Sequence, residues 1–190
     1  FSSERISQLI GSTAIGHVRY STTGASILAN VQPLVFNYAK GEIAIATNGN
    51  LVNGDKLRKE LEANGSIFQT TTDTEAIAHL IARSTADTLE EAVKETLNQL
   101  VGAYALLILT NDQLFVAQDP HALRPLSIGK LGESYVFSSE TCAFDTIGAT
   151  FIREIEPGEL LIVSPDNDMK VTRFAEQKET SICSFEYIYF

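Results

Sequence analysis

The apolar periodicity of this chain changes twice, and that order limits the folds open to it. Residues 14–20 (AIGHVRY) alternate polar and apolar side chains, and 34–38 with 42–47 form a pair of strands around a Lys40-Gly41 hairpin turn. The period then lengthens to that of helices. One begins near Asn53, carries Leu57 and Leu61 one turn apart, and stops at Asn64-Gly65. A second opens on Thr72-Asp73-Thr74-Glu75, a Thr-x-x-Glu capping box, and lines up Ile77, Leu80 and Ile81. A third opens on the box Thr88-Leu89-Glu90-Glu91 and ends at Gly102. Strands return at 103–109 and 114–118 around Asn111-Asp112, then at 124–128, 133–138, 150–155, 159–163 and 171–174, with a short helical turn at 140–146. Strands, then helices, then antiparallel strands predict a layered α+β domain rather than a doubly wound one.

Charge and composition narrow the function. The formal net charge of -10 argues against nucleic acid, whose phosphates would be repelled. No apolar run approaches membrane-spanning length, so no membrane is expected. Cys142 and Cys183 are far apart, the pattern of a reduced, cytoplasmic protein. His17, His79 and His121 are scattered, which predicts no metal cluster. Neither common glycine-rich nucleotide-binding loop occurs.

Three polar islands interrupt this patterning. In the first, residues 16–22 (GHVRYST), Arg19 sits near a strand end before a Ser/Thr/Gly-rich loop, where a guanidinium grips a carboxylate through paired hydrogen bonds or simply faces solvent. In the second, residues 47–50 (TNGN), Asn-Gly taken alone marks a tight turn. The same pair offers an oxyanion two donors, the Asn48 side-chain amide and the Gly49 backbone N–H. In the third, residues 70–75 (TTTDTE), Asp73 complements a helix dipole or binds an ammonium group. Taken together they suit a free amino acid, which needs one cation and one anion: Arg19 and Asp73 supply them, at about 1.5–3 kcal/mol for each charge-assisted contact.

In that order GHVRYST, N-x-QPL (Asn30, Gln32, Pro33, Leu34), NGNLVN and TDTE resemble the class II glutamine amidotransferases, in the variants of the glutamine phosphoribosylpyrophosphate amidotransferase family. The later segments GAYAL, DPHALRPLSIG, SSETCAFD, EPGEL and CSFEYIYF agree, so the resemblance covers nearly the whole chain. It implies an N-terminal-nucleophile hydrolase fold, a four-layer αββα sandwich with two antiparallel sheets. It implies a glutaminase mechanism in which an N-terminal cysteine attacks the glutamine side-chain amide while its own α-amine moves the proton; an α-amine pKa near 7.7–8.0 suits that role. Ammonia then passes to a phosphoribosyltransferase domain, giving phosphoribosylamine for purine synthesis. By position the resemblance assigns Arg19 and Thr22 to the glutamine α-carboxylate, Asp73 to the α-amine, and Asn48 with Gly49 to the oxyanion hole. For the whole protein it implies Mg²⁺, a 4Fe–4S cluster in those members where Cys183 is a ligand, and a homo-oligomer. This segment itself is expected to need no cofactor.

Two positions depart from the family pattern. Thr47 stands where histidine usually precedes the oxyanion motif. Ala122 stands where glycine is expected, and would be strained if the site needs a positive φ. The chain begins at Phe1 rather than methionine and stops inside a strand-like aromatic segment (185–190), so both ends are read as cuts through a longer protein. Residues 1–180 are expected to be the glutaminase domain without its cysteine segment, and 181–190 the start of a connection onward. Alone, the chain is expected to be inactive. The alternatives are a non-catalytic glutamine-binding regulatory module, the glutaminase domain of glucosamine-6-phosphate synthase or asparagine synthetase, and a hydrolase using Cys142 or Cys183 with a histidine.

Overall fold

The computed structural model describes residues 4, 7–19, 26–181, 183–184 and 186–189. Among these, nine strands form two antiparallel sheets. The larger contains, in spatial order, β1 (Leu34–Tyr38), β2 (Gly41–Leu51), β3 (Gly102–Thr110), β4 (Leu114–Gln118), β8 (Glu159–Val163) and β9 (Met169–Arg173). The smaller is ordered β6 (Ser134–Ser138), β5 (Ser127–Leu131), β7 (Thr150–Glu154). The helices are α1 (Gly54–Ala63), α2 (Thr74–Arg83), α3 (Leu89–Leu97), α4 (Cys142–Ile147) and α5 (Glu186–Tyr189).

Strand alternation divides the large sheet into two apolar faces. Ile43, Ile45, Leu106, Ile108, Leu160 and Ile162 pack under Leu57, Leu61, Ile77, Ile81, Val93 and Leu97 of α1–α3. The alternate residues Ala105, Val116, Leu161 and Val163 meet Ile128 of the small sheet. All five residues of β4 and of β8 are buried, because both faces of the sheet are covered. On the far side of the small sheet, the buried Phe144 of α4 lies against Gly129: a Cβ there would meet its ring at 3.3 Å. The order is therefore helices, sheet, sheet, helix, the αββα sandwich that the resemblance implies.

Several boundaries differ from the sequence expectation. Residues 14–19 form no strand; no other strand pairs with them among the described residues, and an extended segment without a ladder partner is only a loop. The predicted third helix stops at Leu97 rather than Gly102; Leu100 is buried after the helix has ended, which mimics helical spacing. The strand expected at 124–128 begins at Ser127. The strand-like C-terminal segment contains a helix, Glu186–Tyr189, anchored where Arg124 Nη1 donates to Glu186 at 2.5 Å. At Thr72 no capping box forms: Asp73 occupies the N-cap without a side-chain cap bond. The box at Thr88 does form, with Glu91 N donating to Thr88 Oγ1 at 3.2 Å. Ala122 holds φ at 50°, the left-handed region that the glycine expected there would adopt without cost.

Candidate functional site

Asn48-Gly49 is not a turn. β2 runs straight through it, pairing Asn48 with Ala105, Gly49 with Tyr104 and Leu51 with Gly102. Glycine is required because β3 comes too close: a Cβ on Gly49 (φ 145°) would lie 2.0 Å from the Ala103 carbonyl oxygen. Across β2 the partner strand β1 stops early, its last pair being Leu34 with Ile45. Beyond that point one edge of β2 has no neighbouring strand among the described residues, and side chains take the place of the missing ladder.

Thr47 N–H donates to Gln32 Oε1 at 2.6 Å. His17 Nε2 lies 3.2 Å from the Thr47 carbonyl oxygen. That oxygen can only accept, so Nε2 carries the hydrogen. Leu51 N–H donates to Asp73 Oδ2 at 2.7 Å. Antiparallel alternation places the Gly49 N–H on this same edge, between the capped N–H groups of Thr47 and Leu51. Tyr104, opposite Gly49, directs its own backbone groups away toward Asp119. A strand-edge N–H with no hydrogen-bond partner among the described residues, flanked by two braced residues, can present that donor to an anion.

The first and third islands join this edge through Asn30. Arg19 Nη1 donates to the Asn30 carbonyl at 2.5 Å. The Asn30 side chain is fully buried; its Nδ2 donates to Thr71 Oγ1 at 2.7 Å, and its Oδ1 accepts from Thr71 N–H at 3.0 Å. The loop bearing Thr71 is pinned from below by Glu75, 1% exposed, whose two oxygens accept from Gln69 N–H and Thr70 N–H at 2.8 and 2.7 Å. Two residues past Thr71 comes Asp73, packed on Gly54 so closely that a Cβ there would meet Asp73 Cβ at 2.9 Å. The connections close a ring: Arg19, Asn30, Thr71, Asp73, Leu51, the Asn48-Gly49 strand, Thr47, and back through His17 and Gln32.

Burial pushes the Asp73 carboxyl above the ordinary carboxylate range, opposed mainly by the Leu51 N–H bond. Burial lowers the His17 pKa; its bond to Thr47 opposes the shift and the Arg19 charge adds to it, so the ring stays neutral near pH 7. The Thr47 hydroxyl is buried and has no hydrogen-bond partner among the described residues. An open surface depression of about 420 Å³ lies elsewhere, lined by Asp87, Glu91, Lys94, Glu95 and neighbours, and shares no residue with the ring.

Of the residues singled out in the sequence, Arg19 and Asp73 join this ring through hydrogen bonds, and Asn48 and Gly49 lie on the strand it braces. Thr22 lies outside the described residues. The frame residues His17, Asn30, Gln32 and Glu75 had no role assigned in the site. Their signal was weak: Asn30 and Gln32 stood out only as letters of a motif, and Glu75 read as a cap. Cys142 is exposed at the start of α4, and Cys183 is half-buried with its backbone N–H 3.4 Å from the Leu123 carbonyl. Neither joins the ring. Among the described residues no group of three His, Cys, Asp or Glu side chains is placed to hold a metal ion, and no helix is long and apolar enough to cross a membrane. A single thiol at Cys183 does not make a cluster site, which takes four ligands.

Comparison with known proteins agrees with this geometry. Residues 17–146 match the family model described as the glutamine amidotransferase domain. The chain is 54% identical to amidophosphoribosyltransferase of Bacillus subtilis, over 100% of this chain and 40% of the relative. It is 48% identical to chloroplastic amidophosphoribosyltransferase 2 of Arabidopsis thaliana, over 100% of this chain and 34% of the relative. The solved B. subtilis glutamine phosphoribosylpyrophosphate amidotransferase superposes with a TM-score of 0.86 at 54% identity, covering 92% of this chain and 37% of that one. A class II domain protein from Silicibacter pomeroyi, 13% identical with a TM-score of 0.51 over 70% of this chain and 66% of that one, shares the fold alone. The chain thus spans about 40% or less of the length of these amidophosphoribosyltransferases. With the family model covering well over half of its residues, the chain belongs to the glutamine amidotransferase domain family.

Proposed function

We propose that this chain is the glutamine-binding, ammonia-releasing part of an amidophosphoribosyltransferase. The observation that supports the reading is the network of hydrogen bonds and short chain steps that links Arg19, Asp73 and the Asn48-Gly49 strand. Arg19 and Thr22 take the glutamine α-carboxylate, and Asp73 takes the α-ammonium. The Asn48 amide and Gly49 N–H stabilise the oxyanion formed when a thiolate adds to the side-chain carbonyl. Collapse of that intermediate expels ammonia and leaves a thioester, which water cleaves to glutamate.

The nucleophile in this reading is an N-terminal cysteine, with its α-amine as proton carrier. Neither Cys142 nor Cys183 takes that place, since no hydrogen bond joins either thiol to a histidine among the described residues. A polypeptide of these 190 residues alone is therefore expected to release no ammonia. In the whole protein, residues 1–180 act as the glutaminase domain and 181–190 begin the connection to a phosphoribosyltransferase domain. There ammonia displaces pyrophosphate from phosphoribosylpyrophosphate to give 5-phosphoribosylamine. Mg²⁺, any iron–sulfur cluster, the cytoplasmic location and a homo-oligomeric assembly belong to that whole-protein reading.

The test is Arg19→Lys in the full-length protein. An ammonium cannot reproduce the forked grip on a carboxylate, so the glutamine KM should rise roughly 10-fold or more. An unchanged KM would remove Arg19 from the site.

A further inference from the structure

We propose that Asp119 is a positioning residue for the Gly49 donor and couples it to Lys178, Ser181, Cys183 and Glu186. The inference rests on the glutamine reading above. Asp119 follows β4, is completely buried, and uses all of its polar groups on backbone partners. Its N–H donates to the Tyr104 carbonyl at 3.0 Å, and its carbonyl accepts from Ala122 at 3.0 Å and Gly158 at 3.3 Å. Oδ2 accepts from Tyr104 N–H at 3.2 Å and Leu123 N–H at 3.0 Å; Oδ1 accepts from His121 N–H at 2.9 Å. Tyr104 is thus held at both backbone groups by one residue, at the point where the β3–β4 ladder ends (Ala105 with Gln118).

Tyr104 faces Gly49 across β2–β3. A Cβ on Gly49 would fall 2.9 Å from Tyr104 Cα, so the backbone at 103–104 is the floor on which Gly49 rests. A shift of that floor moves the Gly49 N–H directly, because no side chain lies between them to absorb it.

The same carboxylate shapes the loop 119–124, whose outer face carries the C-terminal segment. Lys178, Ser181 and Cys183 N–H donate to the carbonyls of Pro120, His121 and Leu123 at 3.0, 2.9 and 3.4 Å. Arg124 pairs with Glu186 at 2.5 Å. Burial raises the Asp119 carboxyl pKa, and the three N–H donors oppose that shift in part. The path from Lys178, Ser181, Cys183 and Glu186 to the oxyanion strand is therefore contiguous: loop 119–124, Asp119, Tyr104, Gly49.

The experiment uses the full-length protein and follows conversion of glutamine to glutamate. Asp119→Asn keeps the size but opposes an amide to one of the three N–H groups. It should lower kcat roughly 10-fold or more while KM changes less than about 3-fold, since the oxyanion exists only after binding. Glu186→Gln, which touches neither Asp119 nor β3, should lower kcat about 3-fold, and the double variant should be no worse than Asp119→Asn alone. A role limited to stability would lower the melting temperature and leave kcat of the folded enzyme intact. Unchanged kcat in folded Asp119→Asn overturns the proposal, as do effects that multiply independently. If Asp119→Asn does not fold, an unchanged kcat in Glu186→Gln overturns it. A parent protein that does not hydrolyse glutamine overturns the underlying reading and this proposal together; active parent and unaffected variants overturn this proposal alone.

Discussion

At the start of α3, Thr88 and Glu91 close on each other: Thr88 N–H donates to Glu91 Oε2 at 3.3 Å and Glu91 N–H to Thr88 Oγ1 at 3.2 Å. At the start of α2, the same four-residue pattern closes nothing. Thr72 contacts Thr70 Oγ1 at 3.1 Å, and Glu75 turns away to hold the backbone of Gln69 and Thr70. The first box is exposed and serves its own helix. The second acid is 1% exposed and serves a loop that carries Thr71 and Asp73 to the β2 edge. A local capping pattern therefore describes a helix start only where no stronger demand reaches the same side chains; around α2 the demand comes from the ring.

If this contrast is right, substitutions on the α2 side should affect glutamine chemistry or the loop beneath it, and those on the α3 side should affect only helix stability. The largest effect is expected at Gly49, on the strand that the α2 loop braces. In the full-length protein Gly49→Ala should lower kcat for glutamine hydrolysis about 10²–10³-fold, because a Cβ forces β3 away and misdirects the donor. Activity within a few-fold of the parent would place the oxyanion elsewhere.

Next comes the direct contrast of the two acids. Glu75→Ala strands the buried Thr70 N–H and should cost about 2–3 kcal/mol in denaturant unfolding, whereas Glu91→Ala should cost about 0.5–1 kcal/mol. Equal costs would erase the distinction between the two boxes. The smallest effect belongs to the Thr47 hydroxyl, which is buried with no partner among the described residues, while the backbone of Thr47 does the bracing. Thr47→Val should raise stability by about 0.5–1 kcal/mol and leave the glutamine KM unchanged. Lost stability would give that hydroxyl a role.

The contrast also shows what was legible in the sequence. Strand and helix order followed from periodicity, which gave a layered α+β domain, and the αββα layering came from the family resemblance. Arg19, Asn48, Gly49 and Asp73 each had a local folding role open to them and stood out only through their combination and the order of the motifs that carry them. The supporting shell did not stand out, because Asn30, Gln32 and Glu75 act across 41, 15 and 5–6 residues of sequence, and local spacing carries no record of such contacts. Asn-Gly misreads as a turn for the same reason: β3, which forces the glycine, lies more than 50 positions away. The segments 14–19 and 186–189 misread as strands because alternation records which faces are apolar, not whether a ladder partner exists.

The measurement closest to the central claim is the glutamine KM of the full-length protein carrying Asp73→Asn, followed with pH. Asparagine retains an oxygen for the Leu51 N–H, so the frame stays and only the charge goes. An ammonium binds the carboxylate and not the acid. In the parent, KM should therefore be lowest above the raised Asp73 pKa and should climb as pH falls through it. Asp73→Asn should raise KM roughly 10- to 100-fold near neutral pH and remove that acid limb, with folding intact. A KM equal to the parent's, with the same pH profile, would contradict the assignment of Asp73 to the substrate ammonium and, with it, the reading of the ring as one glutamine site.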